Sequence, residues 1–296
     1  MSIDNTQENR GSARRRRKLD LSRIKAYIVF VVGVVTALGS GLSGLGAQVA
    51  FAPMLTWMLG FKTEKAQATA LRYAAFVSAA AVAGAFFAQT LGHKTSLNPP
   101  VMPAAVWFYG VLLFLTATLG AVIARPLTPS PAMSRWKQTF QTIGVGIGLF
   151  VLINISHQTL LNAHVPDMAG WPRIALIGLG AGVLTQILGL ASGVLLVPAL
   201  YYLGGYSAQQ AVAQSLMVVT LASLLPAWTY ARRGLVDPVY GNAIILGGVI
   251  GGFAGGMLLA HTPEKIVLSL FALIAMFLSA RELSRLAFER PARPVT

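Results

Sequence analysis

The sequence predicts an all-α polytopic membrane protein made of two inverted repeats, each a re-entrant broken-helix hairpin followed by three transmembrane helices. Three observations carry this reading. The 296 residues are 55% hydrophobic and 11% charged, with a mean hydropathy of +0.66, above the range of water-soluble globules. The charges collect in the tails and in short loops. The chain also aligns with itself at a fixed offset.

Uncharged stretches set the spans. Ala26–Gly60, Tyr73–Gly92, Thr95–Ala124, Gln138–Pro166 and Val239–Pro263 contain no Asp, Glu, Lys or Arg, and neither does the segment between Ile174 and Ala231. A membrane-crossing helix needs about 20 such residues. A basic tail, residues 1–25, precedes the first membrane repeat, 26–160; the second repeat covers 170–288 and a short tail 289–296. The apolar run after the basic tail continues too far for a cleaved leader and recurs later in the chain, so it reads as a retained segment.

Sliding the sequence by 145 residues pairs Gly44–Leu71 with Gly189–Leu216, and nine of the 28 positions are identical. Matched glycines (Gly44/Gly189, Gly60/Gly205) and a matched proline (Pro53/Pro198) point to duplication. Each copy opens with an apolar stretch interrupted by small residues, Gly39–Gly46 in the first and Gly189–Gly193 in the second. Glycine weakens a helix by about 1 kcal/mol relative to alanine. The arms Ala26–Leu38 and Ala47–Leu59 would each extend roughly 20 Å as helix, short of a hydrocarbon core roughly 30 Å thick. They read as half-helices, with both glycine clusters expected to be non-helical breaks facing each other near the midplane.

Loop charge tests the hairpins, because basic loops stay on the cytoplasmic side. With hairpins, 19 basic residues outside the spans are cytoplasmic and three external; if each broken stretch crosses once, the division is 16 to six. The hairpin arrangement puts both termini in the cytoplasm and makes the halves inverted. Full spans then fall at Ala66–Thr90, Pro103–Ala124 and Gln138–Ile155, followed by Gln210–Ala231, Tyr240–Ala260 and Ile266–Leu286. Broken helices in inverted repeats are a transporter plan in which substrate sits where half-helix ends meet.

Composition also excludes functions. Without cysteine there is no disulfide, thiolate metal site or cysteine nucleophile. His93, His157, His164 and His261 fall in expected external loops without metal-ligand spacing, and Asp167, Asp237 and Glu264 lie at loop edges, so no buried carboxylate pair marks acid–base chemistry. The run Gly247–Gly252 with Gly255 and Gly256 lacks the lysine of a phosphate loop and fits close helix packing. Twelve of the 23 basic residues behind the net charge of +14 lie before Ala26 or from Arg281 onward, suiting anionic lipid headgroups and not nucleic acid. No cofactor, metal or catalytic group is expected. Transport of a small anion is the leading function, against a membrane-embedded enzyme or a non-transporting assembly or receptor subunit. A coupling ion, proton or sodium, and a homo-oligomer are compatible with the sequence.

Candidate ligand groups gather at the breaks. Ser40, Ser43, Gly44 and Gln48 in the first, and Thr185, Gln186, Gly189, Ser192 and Gly193 in the second, offer hydroxyl, amide and backbone donors to an anion; serines and threonines also join packed membrane helices. Thr69 and the later pair Gln214 and Ser215 occupy equivalent places in the two halves and either complete the site or satisfy a helix N-terminal turn. Tyr201, Tyr202, Trp57 and Trp228 read as interfacial anchors. Arg72 is the formal charge inside the first-half spans: it serves the anion path or snorkels to the cytoplasmic headgroups.

The segment Gly189-Leu190-Ala191-Ser192-Gly193-Val194-Leu195-Leu196-Val197-Pro198, followed by Ala211–Leu216 and by Arg232-Arg233-Gly234-Leu235-Val236-Asp237, resembles the TauE/SafE sulfite exporter family, in the 4-toluene sulfonate uptake permease group. The resemblance runs from about Ile24 to Leu286. It implies a bacterial-type inner (plasma) membrane permease for sulfite, sulfonates or related organic anions. Gln48 stands where that family usually has glycine, Gln214 where threonine is common, and Arg72 where an apolar residue is usual.

Overall fold

The computed structural model describes residues 27–91, 105–124, 146–149, 151, 153, 170–188, 192–234 and 238–288, and all regular structure among them is helical. The helices are α1 (Tyr27–Ser43), α2 (Gln48–Leu59), α3 (Thr63–Leu91), α4 (Ala105–Ala124), α5 (Trp171–Leu188), α6 (Ser192–Tyr202), α7 (Ala208–Arg232), α8 (Pro238–His261) and α9 (Glu264–Phe288). Five expected spans appear within one turn of their sequence limits. The sixth, Gln138–Ile155, is helical at its described positions and otherwise lies outside the described residues. His261 belongs to the last turn of α8 and not to a loop.

Lys65–Leu91 and Gly241–His261 are long and apolar enough to cross a membrane. Their outer faces, and those of their neighbours, are apolar too: Phe76, Phe86, Phe108, Leu119, Leu176, Leu246 and Phe277 are all exposed. A soluble monomer rarely exposes an apolar patch beyond a few hundred Å², whereas hydrocarbon solvates such a surface without penalty.

Two rows of glycine on α8 set the directions of its neighbours. Gly247, Gly251 and Gly255 meet the backbone of α1 at Phe30, Val34 and Leu38, so a β-carbon at any of them would strike a carbonyl oxygen. Gly248, Gly252 and Gly256 meet α3 at Tyr73, Val77 and Ala81. Numbers rise together across both contacts, so α1 and α3 both run parallel to α8. The chain can enter α3 in the direction of α1 only if α2 turns back. It does: Val29 at the start of α1 and Leu55 and Leu59 at the end of α2 line one apolar hollow. The same parallel packing joins α5 to α4, where Gly178 meets Leu113 and Thr116 and Gly182 meets Ala117.

Local geometry recurs at the 145-residue offset. Gly60 and Gly205 close the short helices in the left-handed region, with φ of 65° and 70°, a conformation glycine adopts without steric cost. The following amides bond back equivalently, Phe61 N–H to Leu55 O at 3.5 Å and Tyr206 N–H to Leu200 O at 3.2 Å. Ala66 N–H to Lys62 O and Ala211 N–H to Ser207 O, both at 2.9 Å, then open α3 and α7.

The breaks are shorter than the glycine clusters suggest. Residues 39–43 are helical, and only 44–47 lie between α1 and α2. The reason is packing: Gly41 lies against the backbone of Gly252 and Gly255, its absent β-carbon only 3.1 Å from Gly255 Cα, so glycine there permits helix approach and not a bend. In the second cluster Ser192 and Gly193 are helical, the opening of α6, while Gly189 lies outside the described residues.

Candidate functional site at the first helix break

Gly44 and Gly46 carry φ of 71° and 80° and, with Leu45 and Ala47 between and beyond them, are buried. α2 starts immediately afterwards with Ala47 at its N-cap and no side-chain capping bond. The first-turn amides of a helix have no acceptor within it, so a buried N-terminus without a cap leaves donors and a partial positive charge facing the break. The start of α7 shows the alternative. There Ser207 and Gln210 exchange capping bonds at 3.2 and 3.3 Å, and Glu264 Oε1 accepts from Ala208 N–H at 2.8 Å.

The walls of the break come from α6 and α7. A β-carbon on Gly193 would collide with the Gly44 carbonyl oxygen, and Gly44 itself packs on Val197 and Val212, with Gly46 near Val219. Ser215 Oγ donates to Gly44 O at 2.9 Å. Gln214 is fully buried beside Ser215, and its Oε1 lies 3.1 Å from where a β-carbon on Gly110 of α4 would stand. Both side chains sit well inside α7, beyond its N-terminal turn. The described part of the second broken stretch thus touches the first through Gly193.

Thr36, Ser40 and Ser43 occupy positions i, i+4 and i+7 of α1, one face of the helix. Thr36 is satisfied, with Oγ1 2.8 Å from Val32 O and 2.8 Å from the Tyr73 hydroxyl. Tyr73 donates to Gly33 O at 2.6 Å and stacks on Phe51 with centroids 4.3 Å apart, joining α3 to both arms of the hairpin. Ser40 and Ser43 are buried with no partner for Oγ, as are Ser78 Oγ of α3 and Gln48 Oε1. Ser78 follows Val77, which meets Gly252 of α8 as Val34 of α1 meets Gly251, so it lies about level with Thr36. Tyr206, in the α6–α7 loop, is also buried with an unpartnered hydroxyl; burial, reinforced by Tyr109, pushes its phenol above the usual range.

The remaining candidates scatter. Thr69 donates to Lys65 O of its own helix at 2.8 Å. Arg72 is half-buried and stands on the stripe of α3 shared by Phe76, Ala79, Ala83 and Phe86, all exposed. Thr185, Gln186 and Ser192 are helical, but their side chains lie outside the described residues. Trp228 is exposed and carries the Arg232 guanidinium 3.7 Å above its ring, an arrangement suited to a headgroup boundary. Among the described residues no three His, Cys, Asp or Glu gather as a metal site.

The model of the sulfite exporter TauE/SafE family matches residues 100–282. The chain belongs to this family. The matched range takes in α6 and α7, hence Gly193, Gln214 and Ser215 at the walls of the break. Other relatives carry transporter names. A probable membrane transporter protein of Xylella fastidiosa (strain 9a5c) is 25% identical over 237 residues, covering 79% of this chain and 85% of that protein. The probable membrane transporter protein YunE of Bacillus subtilis (strain 168) is 22% identical over 267 residues, 86% of this chain and 96% of its own length. The probable membrane transporter protein MamO of Magnetospirillum gryphiswaldense is 30% identical over 111 residues, 35% of this chain and 18% of MamO. No solved structure matches. As a TauE/SafE family member the protein is membrane-embedded, and family and relatives alike point to a transporter and away from an enzyme.

Proposed function

We propose that this membrane transporter moves a small sulfur-containing or related organic anion, such as sulfite or a sulfonate, by a secondary mechanism, and that its two halves form an inverted pair around the first break. The observation that carries this is the buried, uncapped start of α2 beside Gly193 and the bond from Ser215 to Gly44. Amides at a helix N-terminus and neutral hydroxyls hold negative charge without a permanent cation, and the glycines let the anion meet backbone directly. The inverted pairing is supported by reciprocal packing, α1 on α8 and α5 on α4, and by recurrence of the turn at Gly60 in the turn at Gly205. In this reading both termini are cytoplasmic in the inner membrane. Gly193, Gln214 and Ser215 surround the substrate. Arg72, on an exposed stripe, anchors the cytoplasmic end of α3 to headgroups.

The test is a binding screen on the purified chain, reading thermal stabilisation by sulfite, sulfonates, carboxylates, monovalent cations and neutral sugars. Stabilisation by sulfur oxyanions ahead of carboxylates and sugars is expected. A protein stabilised by sugars and indifferent to every sulfur anion would refute the substrate class.

A further inference from the structure

The anion reading uses the α2 side of the break, and the α1 side has a different chemistry. α1 ends at Ser43. Beyond the bond from Gly44 N–H to Ser40 O at 2.8 Å, the last carbonyls of α1 run out of helical donors and form the negative end of its dipole. On that same turn Ser40 and Ser43 are 6% and 0% exposed, with unpartnered Oγ atoms. Across the break, Gln48 Oε1, an acceptor with no hydrogen to give, is likewise buried without a partner.

These hydroxyls differ from others in the bundle. Thr69, Thr116 and Thr220 each donate to the carbonyl four residues back, at 2.8 Å, the nearest acceptor a helical hydroxyl has. Ser40 and Ser43 do not take it, so their lone pairs stay unmatched in the last turn of α1, next to the break. Leaving buried polar atoms unmatched in a membrane is unfavourable. A cluster of neutral oxygens at a helix C-terminus suits a hard cation.

We infer that the last turn of α1, with Ser40 Oγ, Ser43 Oγ, Gln48 Oε1 and the carbonyls of 41–43, binds a sodium-sized monovalent cation. Charge selects the class. Residues 27–59 and 171–202, α3 from Lys65 onward and all of α7 contain no Asp or Glu, so the second charge of a divalent ion would go uncompensated. The same segments contain no His, so no imidazole or carboxylate there carries a proton across. The coupling role of this cation rests on the anion reading: cation and anion lie on opposite ends of one break, each lowering the cost of holding the other, which makes their affinities mutually dependent. The site itself stands without it.

The experiment uses the purified full-length chain in choline chloride, free of sulfur anions, titrated with NaCl, LiCl, KCl or further choline chloride while thermal unfolding is followed. Sodium should raise the melting temperature saturably where potassium and choline do not. Ser43→Ala and Ser40→Ala should each raise the half-saturating sodium concentration about tenfold, and Ser40→Ala supplies the readout should Ser43→Ala not fold. Thr118→Ala, on an exposed hydroxyl bonded to Phe114 O, should leave it unchanged. In proteoliposomes, sulfite uptake should follow a sodium gradient and survive collapse of the pH gradient. Equal melting in sodium, potassium and choline, or an unmoved sodium midpoint in both serine variants, would overturn the site. Sodium-free uptake driven by a pH gradient would overturn its coupling role. A sodium response with no sulfur anion carried would leave the cation site standing and defeat the anion reading alone.

Discussion

The Ser215 hydroxyl donates to the Gly44 carbonyl oxygen at 2.9 Å, both groups buried, across 171 residues of sequence. This bond holds the first break against α7 and links the two halves at the site. Ser215→Ala removes the donor and leaves a buried carbonyl without it, a change that costs about 1–3 kcal/mol. A lowered melting temperature in detergent is the expected result. An unaltered melting curve would mean that Gly44 O finds another donor.

Gly193 and Gly180 make a matched pair. A β-carbon on Gly193 would meet the Gly44 carbonyl, whereas one on Gly180 meets nothing within 4 Å. Gly193→Ala should force the break off α6 and abolish transport. Gly180→Ala should leave transport intact and gain up to about 1 kcal/mol of helix stability. Equal activity of the two variants would show that the contact between Gly193 and Gly44 does not matter.

Hairpin topology separates two loops that a singly crossing chain would put together. Single cysteines replacing Lys62, between α2 and α3, and Leu203, after α6, both exposed, enter a chain that has no cysteine of its own. A membrane-impermeant thiol reagent should label Leu203→Cys from outside intact cells and reach Lys62→Cys only after permeabilisation. Labelling of both from outside would contradict the inverted arrangement.

Arg72 shares its face of α3 with exposed Phe76, Ala79, Ala83 and Phe86. Arg72→Gln should therefore leave anion affinity within about twofold of wild type, since hydrogen bonds to a charged group are worth about 1.5–3 kcal/mol and would show as tenfold or more. A tenfold loss in a stably folded variant would return Arg72 to the anion path.

Much of this architecture is legible in the residues, because the signals are punctuation. Gly60 and Gly205, paired by the offset, both occupy left-handed turns, and the C-terminal ends of α3, α4 and α7 and both ends of α8 fall within two residues of the ends of uncharged runs. What does not follow is which glycine bends the chain. Gly39 and Gly41 look like Gly44 and Gly46 in sequence, but the close approach of α8 gives Gly41 a different task. Orientation is also hidden: in a helix apolar on every side, nothing local says that Arg72 points outward or that Gln214 points inward.

Ser78 illustrates the same gap. It stands in an alanine-rich run, chemically indistinguishable from serines bonded to their own helix, and only its burial and unpartnered Oγ bring it to notice. Thr69 was an equally reasonable donor by position, yet its hydroxyl is taken by Lys65 O. Hydrogen-bond state depends on rotamer and neighbours, which periodicity does not encode.

The most direct test of the central claim is flux of radiolabelled sulfite through the purified chain in liposomes. Wild type should accumulate sulfite along an imposed gradient, with unlabelled sulfonates competing and neutral sugars not, while Gly193→Ala, correctly inserted, should carry none. Absence of sulfite and sulfonate flux in correctly inserted wild type, or undiminished flux in Gly193→Ala, would contradict an anion path through the Gly44–Gly193 contact.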